Sequence, residues 1–152
     1  MPRARTIVLT LALAGCAALW VTLSRTPELR VNGRTVTPSV PPFVTADDHL
    51  FLPIRSLARS VGGSILLDGR RHEIILRRGR TVLRFRLGDR FANLNGRSIE
   101  LDRAPFIVRG RTMIDAEVAS RAFAVHVAYE RAKNRVDILT PELNFQRGAT
   151  PR

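Results

Sequence analysis

Five arginines lie close together near the middle of the chain, and their planar guanidinium groups suit phosphate and carboxylate ligands. These residues are Arg77, Arg78, Arg80, Arg84 and Arg86. Over residues 82–87 arginine alternates with large apolar side chains, which predicts a strand with one buried and one solvated face. The predicted buried set is Leu83, Phe85 and Leu87. This pattern predicts an anion-binding surface, and the alternative is the solvated strand face of an arginine-rich protein.

Residues that could run a reaction or hold a metal ion are scattered along the chain. His49, His72 and His126 lack a paired spacing that would place two imidazoles on one ion. Asp47-Asp48-His49 form a cluster in sequence, but between two short predicted strands such residues usually make a solvated turn. Serine nucleophile elbows, phosphate-binding glycine loops and zinc-ligand spacings are missing. The sequence therefore predicts no catalytic, cofactor-binding or metal-binding site and no enzyme activity.

Charge and composition limit the possible partners. The chain has 152 residues, 45% of them hydrophobic, and a formal net charge of +12, and all but one of its 25 basic residues are arginine. Phosphate neutralisation attracts any basic chain to nucleic acid. Two features argue against nucleic acid here, namely an N-terminal targeting segment and the absence of an aromatic platform interleaved with the arginines. We expect a globular body that binds an anionic polymer of the cell envelope or an acidic protein.

The N-terminal residues 1–24 have the character of a signal peptide or membrane anchor. Two arginines precede Ile7–Ser24, a stretch of eighteen residues without a charge. Within it, Leu13–Cys16 has the form of a bacterial lipobox, which predicts possible lipidation of Cys16. The alternatives are an uncleaved single-span anchor, a lipoprotein, and ordinary cleavage near Ala18. Each alternative places the body outside the cytoplasm, at the cell membrane or secreted.

The rest of the chain repeats one pattern of residues, which predicts a duplicated module. Asn32-Gly33-Arg34 matches Asn95-Gly96-Arg97 at an offset of 63 residues, and from Leu52, which matches Ile114, the offset is 62. We expect one compact stalk-type body over residues 29–140, with copies at about 29–77 and 91–140. Residues 141–152 have no periodicity and are predicted to form a disordered tail.

Each copy is predicted to contain short antiparallel strands wrapped around one amphipathic helix, an α+β fold. The Asn-Gly dipeptides favour two-residue hairpin turns. Pro53 starts the first helix and Gly62 ends it, and Asp115 caps the second helix. The predicted buried faces are Ile54, Leu57, Ala58 and Val61 in the first helix and Ala116, Ala119, Ser120 and Phe123 in the second.

The order of these elements resembles the copper amine oxidase N-terminal domain family, also called the stalk domain. The residues that carry the resemblance are Pro53, Arg55, Ala58, Val61, Gly62 and Asp68. The second copy departs from the pattern, with Asp115 and Glu117 in place of the proline and arginine. The resemblance implies an α+β domain of bacterial envelope proteins. In that family the copper and the modified tyrosine belong to a separate catalytic domain, so the resemblance implies no cofactor for this chain.

These observations together predict a non-catalytic extracytoplasmic binding or spacer module that is tethered at the bacterial cell envelope. Its first partner would be the membrane, through residues 1–24. Two alternatives remain at this stage. One is an envelope protein whose arginine-rich face binds an anionic polymer or lipid surface, and the other is an accessory domain of a separately encoded enzyme.

Overall fold

A computed structural model gives the fold, and it describes residues 26–141. The described chain is α+β, with thirteen short strands and two helices. The strands are β1 (Glu28–Val31), β2 (Arg34–Val36), β3 (Phe43–Val44), β4 (Leu50–Pro53), β5 (Ser64–Asp68), β6 (Glu73–Arg78), β7 (Thr81–Phe85), β8 (Phe91–Leu94), β9 (Arg97–Glu100), β10 (Phe106–Val108), β11 (Arg111–Asp115), β12 (His126–Glu130) and β13 (Arg135–Leu139). The helices are α1 (Ile54–Val61) and α2 (Ala116–Phe123), and a 3₁₀ turn covers Arg131–Lys133.

The predicted anchor over residues 1–24, the lipidation of Cys16 and the tail beyond Pro141 lie outside the described residues. Within residues 26–141 there is no helix with the length and apolar character needed to cross a membrane.

The same order of elements occurs before and after strand β7. The first half (residues 28–78) contains the hairpin β1–β2, the pair β3–β4, helix α1 and the hairpin β5–β6. The second half (residues 91–139) contains β8–β9, β10–β11, α2 and β12–β13 in that order. Strand β7 stands between the halves and has no counterpart in the second half.

The predicted Asn-Gly turns are present in both halves. Asn32 and Gly33 have φ values of 52° and 80°, and Asn95 and Gly96 have values of 53° and 87°. Both central positions of such a turn need positive φ, which Asn and Gly tolerate better than other residues. The β1–β2 and β8–β9 hairpins therefore turn at the Asn-Gly dipeptides that the sequence predicts.

Three sheets surround the two helices. The terminal sheet has the order β12-β13-β1-β2, the central sheet β10-β11-β4-β3 and the five-stranded sheet β5-β6-β7-β8-β9. In the terminal sheet β1 pairs with β13 in parallel, which joins the first and last strands of the domain. In the central sheet β4 pairs antiparallel with β11, and Leu52 lies opposite Ile114. The two halves are thus joined twice by backbone hydrogen bonds.

Both helices begin and end at residues whose chemistry explains the boundary. Pro53 is the last residue of β4 and the N-cap of α1, and Gly62 ends that helix with φ of 72°. The Asp115 carboxylate accepts a hydrogen bond from the Glu117 backbone N–H and so caps α2, as predicted. Helix α2 ends at Ala124, which adopts φ of 47° without being glycine.

One main core fills the space between the sheets and the helices. The largest fully buried side chains include Phe85, Phe123, Leu52, Leu57 and Ile114. Burying each of these side chains contributes about 1.5–3 kcal/mol of hydrophobic stabilisation. A smaller cluster, in which Phe43, Phe51 and Phe106 stack around Met113, lies on the other side of the central sheet.

The buried face of α1 is the predicted one, but that of α2 differs. The buried residues of α2 are Val118, Ala119, Ala122 and Phe123. Ala116 and Ser120 are only half-buried, and the Ser120 hydroxyl donates a hydrogen bond to the Val125 carbonyl. Helix α2 packs against strands of all three sheets, so its contacts cover a different arc from that of α1. The prediction that transferred the α1 face to α2 was therefore wrong at Ser120, whereas the half-buried Ala116 still packs against the main core.

Candidate anion-binding surface

The outer face of the five-stranded sheet carries most of the predicted arginine group. Residues paired across antiparallel strands point to the same face. Arg84 lies opposite Ile75 on one side and Asn93 on the other, and Arg77 lies opposite Val82. The inner face carries the core residues Leu76, Leu83 and Phe85. Arg77 and Arg84 therefore share the face that points away from the helices.

An open groove of about 800 Å³ runs along this face, and we call it the outer groove. Its lining includes Arg71, Arg80, Arg84, Arg86, Phe91 and Asn93. The arginines come from the β5–β6 turn, the β6–β7 turn, β7 and the segment after β7. Strand β7 and the turns and chain segment beside it thus bring four guanidinium groups to one concavity.

Acidic residues neutralise only part of this charge. Glu73 pairs with Arg86, with 3.4 Å between its Oε1 atom and the guanidinium. The Asp89 carboxylate accepts a hydrogen bond from the Phe91 backbone N–H. Arg80 and Arg84 form no ion pair with any acidic residue between positions 26 and 141. The groove therefore keeps a net positive charge that faces solvent.

Arg78 was included in the predicted arginine group, but the structure gives it a different position and role. Its side chain lies on the inner face of β6, because Arg78 pairs with Thr81 two residues beyond the Leu76–Leu83 pair. Its Nε atom donates to the Val61 carbonyl at 2.8 Å, and a terminal nitrogen donates to the Phe123 carbonyl at 2.9 Å. These carbonyls are at the C-terminal ends of α1 and α2, where a cation is favourable. Arg78 therefore connects the two helix ends.

Leu87 was predicted to be buried with Leu83 and Phe85, and this prediction was wrong. Strand β7 ends at Phe85, and the chain turns at Gly88, whose φ is 75°. The alternation of inner and outer residues therefore stops before Leu87, which is 43% exposed. Arg86 likewise lies just beyond the strand rather than within it, although it still lines the outer groove.

The sequence analysis missed several members of the groove, namely Arg71, Asn93 and above all Phe91. Phe91 is 62% exposed, and in β8 its large side chain points outward while the small Ala92 is buried in the core. An aromatic side chain on the exposed face of a strand, next to a buried alanine, is unusual. The alternation of residues along β8 could have indicated this exposed ring. The groove thus combines cationic groups with one exposed aromatic ring, which can lie against the flat face of a ligand ring.

The Asp47-Asp48-His49 segment lies in an exposed turn, as predicted, and it also makes contacts with the second half of the chain. The His49 Nδ1 atom lies 2.9 Å from Oδ2 of the buried Asp115. Asp47 pairs with Arg103, and Asp48 pairs with Arg131. A hydrogen bond from Thr45 lowers the pKa of the Asp47 carboxyl, and the charge of Arg103 adds to this effect. All three partners belong to the second half, so this turn binds the halves together.

The described residues do not fit a copper ion. His49 is engaged with Asp115, His72 lies in the β5–β6 turn, and His126 begins β12, so the three imidazoles belong to different parts of the fold. Across residues 26–141 no three His, Cys, Asp or Glu side chains are grouped closely enough to hold a metal ion. Tyr129 packs against the main core, and its hydroxyl donates a hydrogen bond to Asn134.

Comparison with known proteins agrees with the resemblance noted in the sequence. No curated protein sequence matches the chain. A family model described as copper amine oxidase N-terminal domain matches residues 30–138. The match extends from strand β1 to strand β13 and so covers both halves together with the five-stranded sheet. The resemblance is thereby confirmed: this chain belongs to the copper amine oxidase N-terminal domain family.

Proposed function

We propose that this chain is a non-catalytic binding module of the bacterial cell envelope and that its outer groove holds an anionic polymer. The observation that carries the proposal is the set of guanidinium groups around one open concavity. Arg80 and Arg84 face this groove without an acidic partner in the described part of the chain. Arg77 lies on the same face, at its edge.

The spacing of the arginines favours a polymer over a single small ion. The guanidinium groups come from two turns and a strand along a concavity of about 800 Å³, so they are spread rather than focused on one point. Repeated phosphate or carboxylate groups can each meet one of them. Exposed charge pairs of this kind are screened by salt, so binding should weaken as ionic strength rises.

Tethering at the envelope forms the second part of this proposal. Residues 7–24 carry no charge, and β1 begins at Glu28, a few residues later. An anchor or a lipid on Cys16 would therefore hold the domain close to the membrane surface, where anionic polymers and head groups are concentrated. Fractionation with intact mass of the membrane-bound form distinguishes a full-length anchored chain from a chain that starts at a lipidated Cys16.

A duplicated unit is the third part. It is supported by the central sheet, where Leu52 pairs with Ile114, the residue 62 positions later. Two copies of one unit related by a local two-fold axis would pair in this way. The residue at the axis lies opposite its own counterpart, and the pair of Pro53 with Met113 mirrors the pair of Phe51 with Asp115.

Charge reversal tests the binding proposal. A form that lacks residues 1–24 should be retained by envelope preparations, and Arg80→Glu with Arg84→Glu should abolish this retention. Arg34→Glu with Arg59→Glu provides the control, because it makes the same change of net charge at exposed positions outside the groove. Equal retention of both double variants would contradict the proposal.

The family assignment favours a second candidate, an accessory domain of a separately encoded enzyme. The matching family is described as the N-terminal domain of an oxidase. Under this candidate, the full-length chain should recover a catalytic subunit in a pull-down from its own cells, and recovery should survive the Arg80 and Arg84 reversals.

A further inference from the structure

A second cavity lies at the side of the domain, between α1, the β5–β6 hairpin and the β10–β11 hairpin. We call it the apolar cavity, and its volume is about 540 Å³. The apolar residues that line it are Ile54, Ile65, Leu67, Ile74, Leu87 and Ile107. A concavity of a few hundred Å³ with mainly apolar walls and a small number of polar groups is typical of a site for a small molecule.

Exposed apolar side chains are concentrated around this cavity. Leu67 is 70% exposed, Ile107 is 54% exposed and Leu87 is 43% exposed. They belong to three segments that are distant in sequence, namely β5, β10 and the chain after β7. Single exposed apolar residues are common on protein surfaces, but a group that borders one cavity indicates a binding surface.

The polar residues at the cavity are mainly cationic. Arg55, in the first turn of α1, and Arg111, at the start of β11, both line it. Arg111 donates through Nε to the Ser39 hydroxyl at 2.9 Å. Arg55 pairs with no acidic residue in the described part of the chain.

The two acids at the same cavity already have partners. Glu73 pairs with Arg86. The Asp68 carboxylate accepts hydrogen bonds from the backbone N–H groups of Arg70 and Arg71. Arg86 offsets the charge of Glu73, and the positive charges of Arg55 and Arg111 outnumber the single negative charge of Asp68, so the site keeps a net positive charge.

At the matching positions around β12, larger side chains make contacts that the first half lacks. Tyr129 stands 62 positions after Leu67, is half-buried, and donates a hydrogen bond to Asn134 at 2.9 Å. Arg131, 62 positions after Gly69, pairs with Asp48 in the β3–β4 turn. The matching positions at the apolar cavity are Gly69, which corresponds to Arg131, and Gly110, which stands 62 positions after Asp48; neither has a side chain, and both border the open cavity.

We propose that the apolar cavity binds a small amphipathic carboxylate, with its hydrocarbon tail against Leu67, Leu87 and Ile107 and its carboxylate at Arg55. This site is separate from the outer groove. Only Glu73 and Arg86 line both concavities, so the residues tested below belong to one site alone. The proposal for the outer groove and the proposal for the apolar cavity can therefore fail independently of each other.

The test measures octanoate binding to the full-length protein by calorimetry and by methyl chemical shifts. Octanoate should bind at least tenfold more tightly than octanol, which has the same tail without the charge, and than octylammonium, which carries the opposite charge. In the unmodified protein the shifts should appear at the methyl groups of Leu67, Leu87 and Ile107. Leu66, which is 51% exposed but does not line the cavity, should not shift.

Two variants with matched controls complete the test. Arg55→Gln and Leu67→Ser should each lower octanoate affinity about tenfold. Arg59→Gln, one helical turn further along α1, and Leu66→Ser, the preceding residue of β5, should leave the affinity unchanged. Equal affinity for octanoate and octanol, or shifts confined to β5 backbone amides as expected for an added peptide strand, would overturn the proposal. Because the shift measurement uses the unmodified protein, it decides the matter even if a variant fails to fold.

Discussion

The two halves of this domain have the same order of elements but use their surfaces differently. In the second half, polar side chains are engaged with one another. Tyr129 donates a hydrogen bond to Asn134, Arg131 forms an ion pair with Asp48, and Arg135 forms ion pairs with Glu130 and Asp137. In the first half and the adjoining strand β7, Leu67 is 70% exposed and Arg84 has no acidic partner within the described chain. The comparison teaches that the terminal sheet serves mainly for closure, whereas the five-stranded sheet and the hairpin beside it present chemistry to solvent.

The largest expected difference between the halves concerns their helix ends. Phe123 is fully buried and its ring fills the space beside Gly63, where an added Cβ would lie 2.9 Å from the ring. Phe123→Ala should lower the free energy of unfolding by about 3–5 kcal/mol, because it leaves a large cavity. Val61→Ala, at the matching position of α1, should cost about 2 kcal/mol. Urea unfolding measures both costs, and equal costs would contradict the larger contribution of Phe123 to the core.

The next largest effect should come from Arg78. Arg78→Met removes the hydrogen bonds to the carbonyls at the ends of α1 and α2. We expect a loss of about 2–3 kcal/mol in unfolding free energy, since a charged donor is removed from two acceptors. Arg77→Met, the neighbouring residue on the outer face, should stay within about 0.5 kcal/mol of the unmodified protein. Thermal or urea unfolding of the two variants separates the structural arginine from the solvated one.

A tyrosine at position 67, like the Tyr129 at the matching position of the second half, should block the apolar cavity. Leu67→Tyr places the side chain of Tyr129 at the matching position of β5. Octanoate affinity should fall about tenfold because the ring occupies the site, while the unfolding free energy should change by about 0.5 kcal/mol or less at so exposed a position. Unchanged octanoate affinity would show that the cavity beside Leu67 is not the site of binding.

The smallest effect concerns pH and the turn that joins the halves. The pKa of Asp47 is lowered by its hydrogen bond to Thr45 and by Arg103. A carboxyl whose folded pKa lies below its unfolded value of about 3.8 stabilises the fold above that value. This contribution is lost as the pH falls through the lowered folded pKa. Asp47→Asn should therefore reduce stability slightly at neutral pH and flatten its decline below pH 4, as urea titrations at a series of pH values would reveal.

Local sequence patterns predicted the elements of this fold well. The Asn-Gly turns, the α1 face with Ile54 and Leu57, and the Asp115 cap all depend on residues within a few positions of each other, so they could be read from the chain. The resemblance to the copper amine oxidase N-terminal domain family is also confirmed by the match over residues 30–138.

The remaining features depend on contacts between distant segments. The parallel pairing of β1 with β13 joins the two ends of the domain, and no local sequence pattern predicts this pairing. Arg78 was assigned to the arginine surface because sequence proximity does not reveal that the strand turns its side chain toward the helix ends. Phe91 and the apolar cavity were missed for the same reason, since their neighbours come from separate strands and turns.

The most direct test of the central claim, that the outer face of the five-stranded sheet is the binding side, is a map of backbone shifts during titration of the full-length protein with polygalacturonate. We predict shifts in β6, β7 and β8 around Arg80, Arg84 and Phe91, with no change in β12 and β13. Shifts that appear equally in the terminal sheet, or that survive Arg80→Glu with Arg84→Glu, would contradict the account.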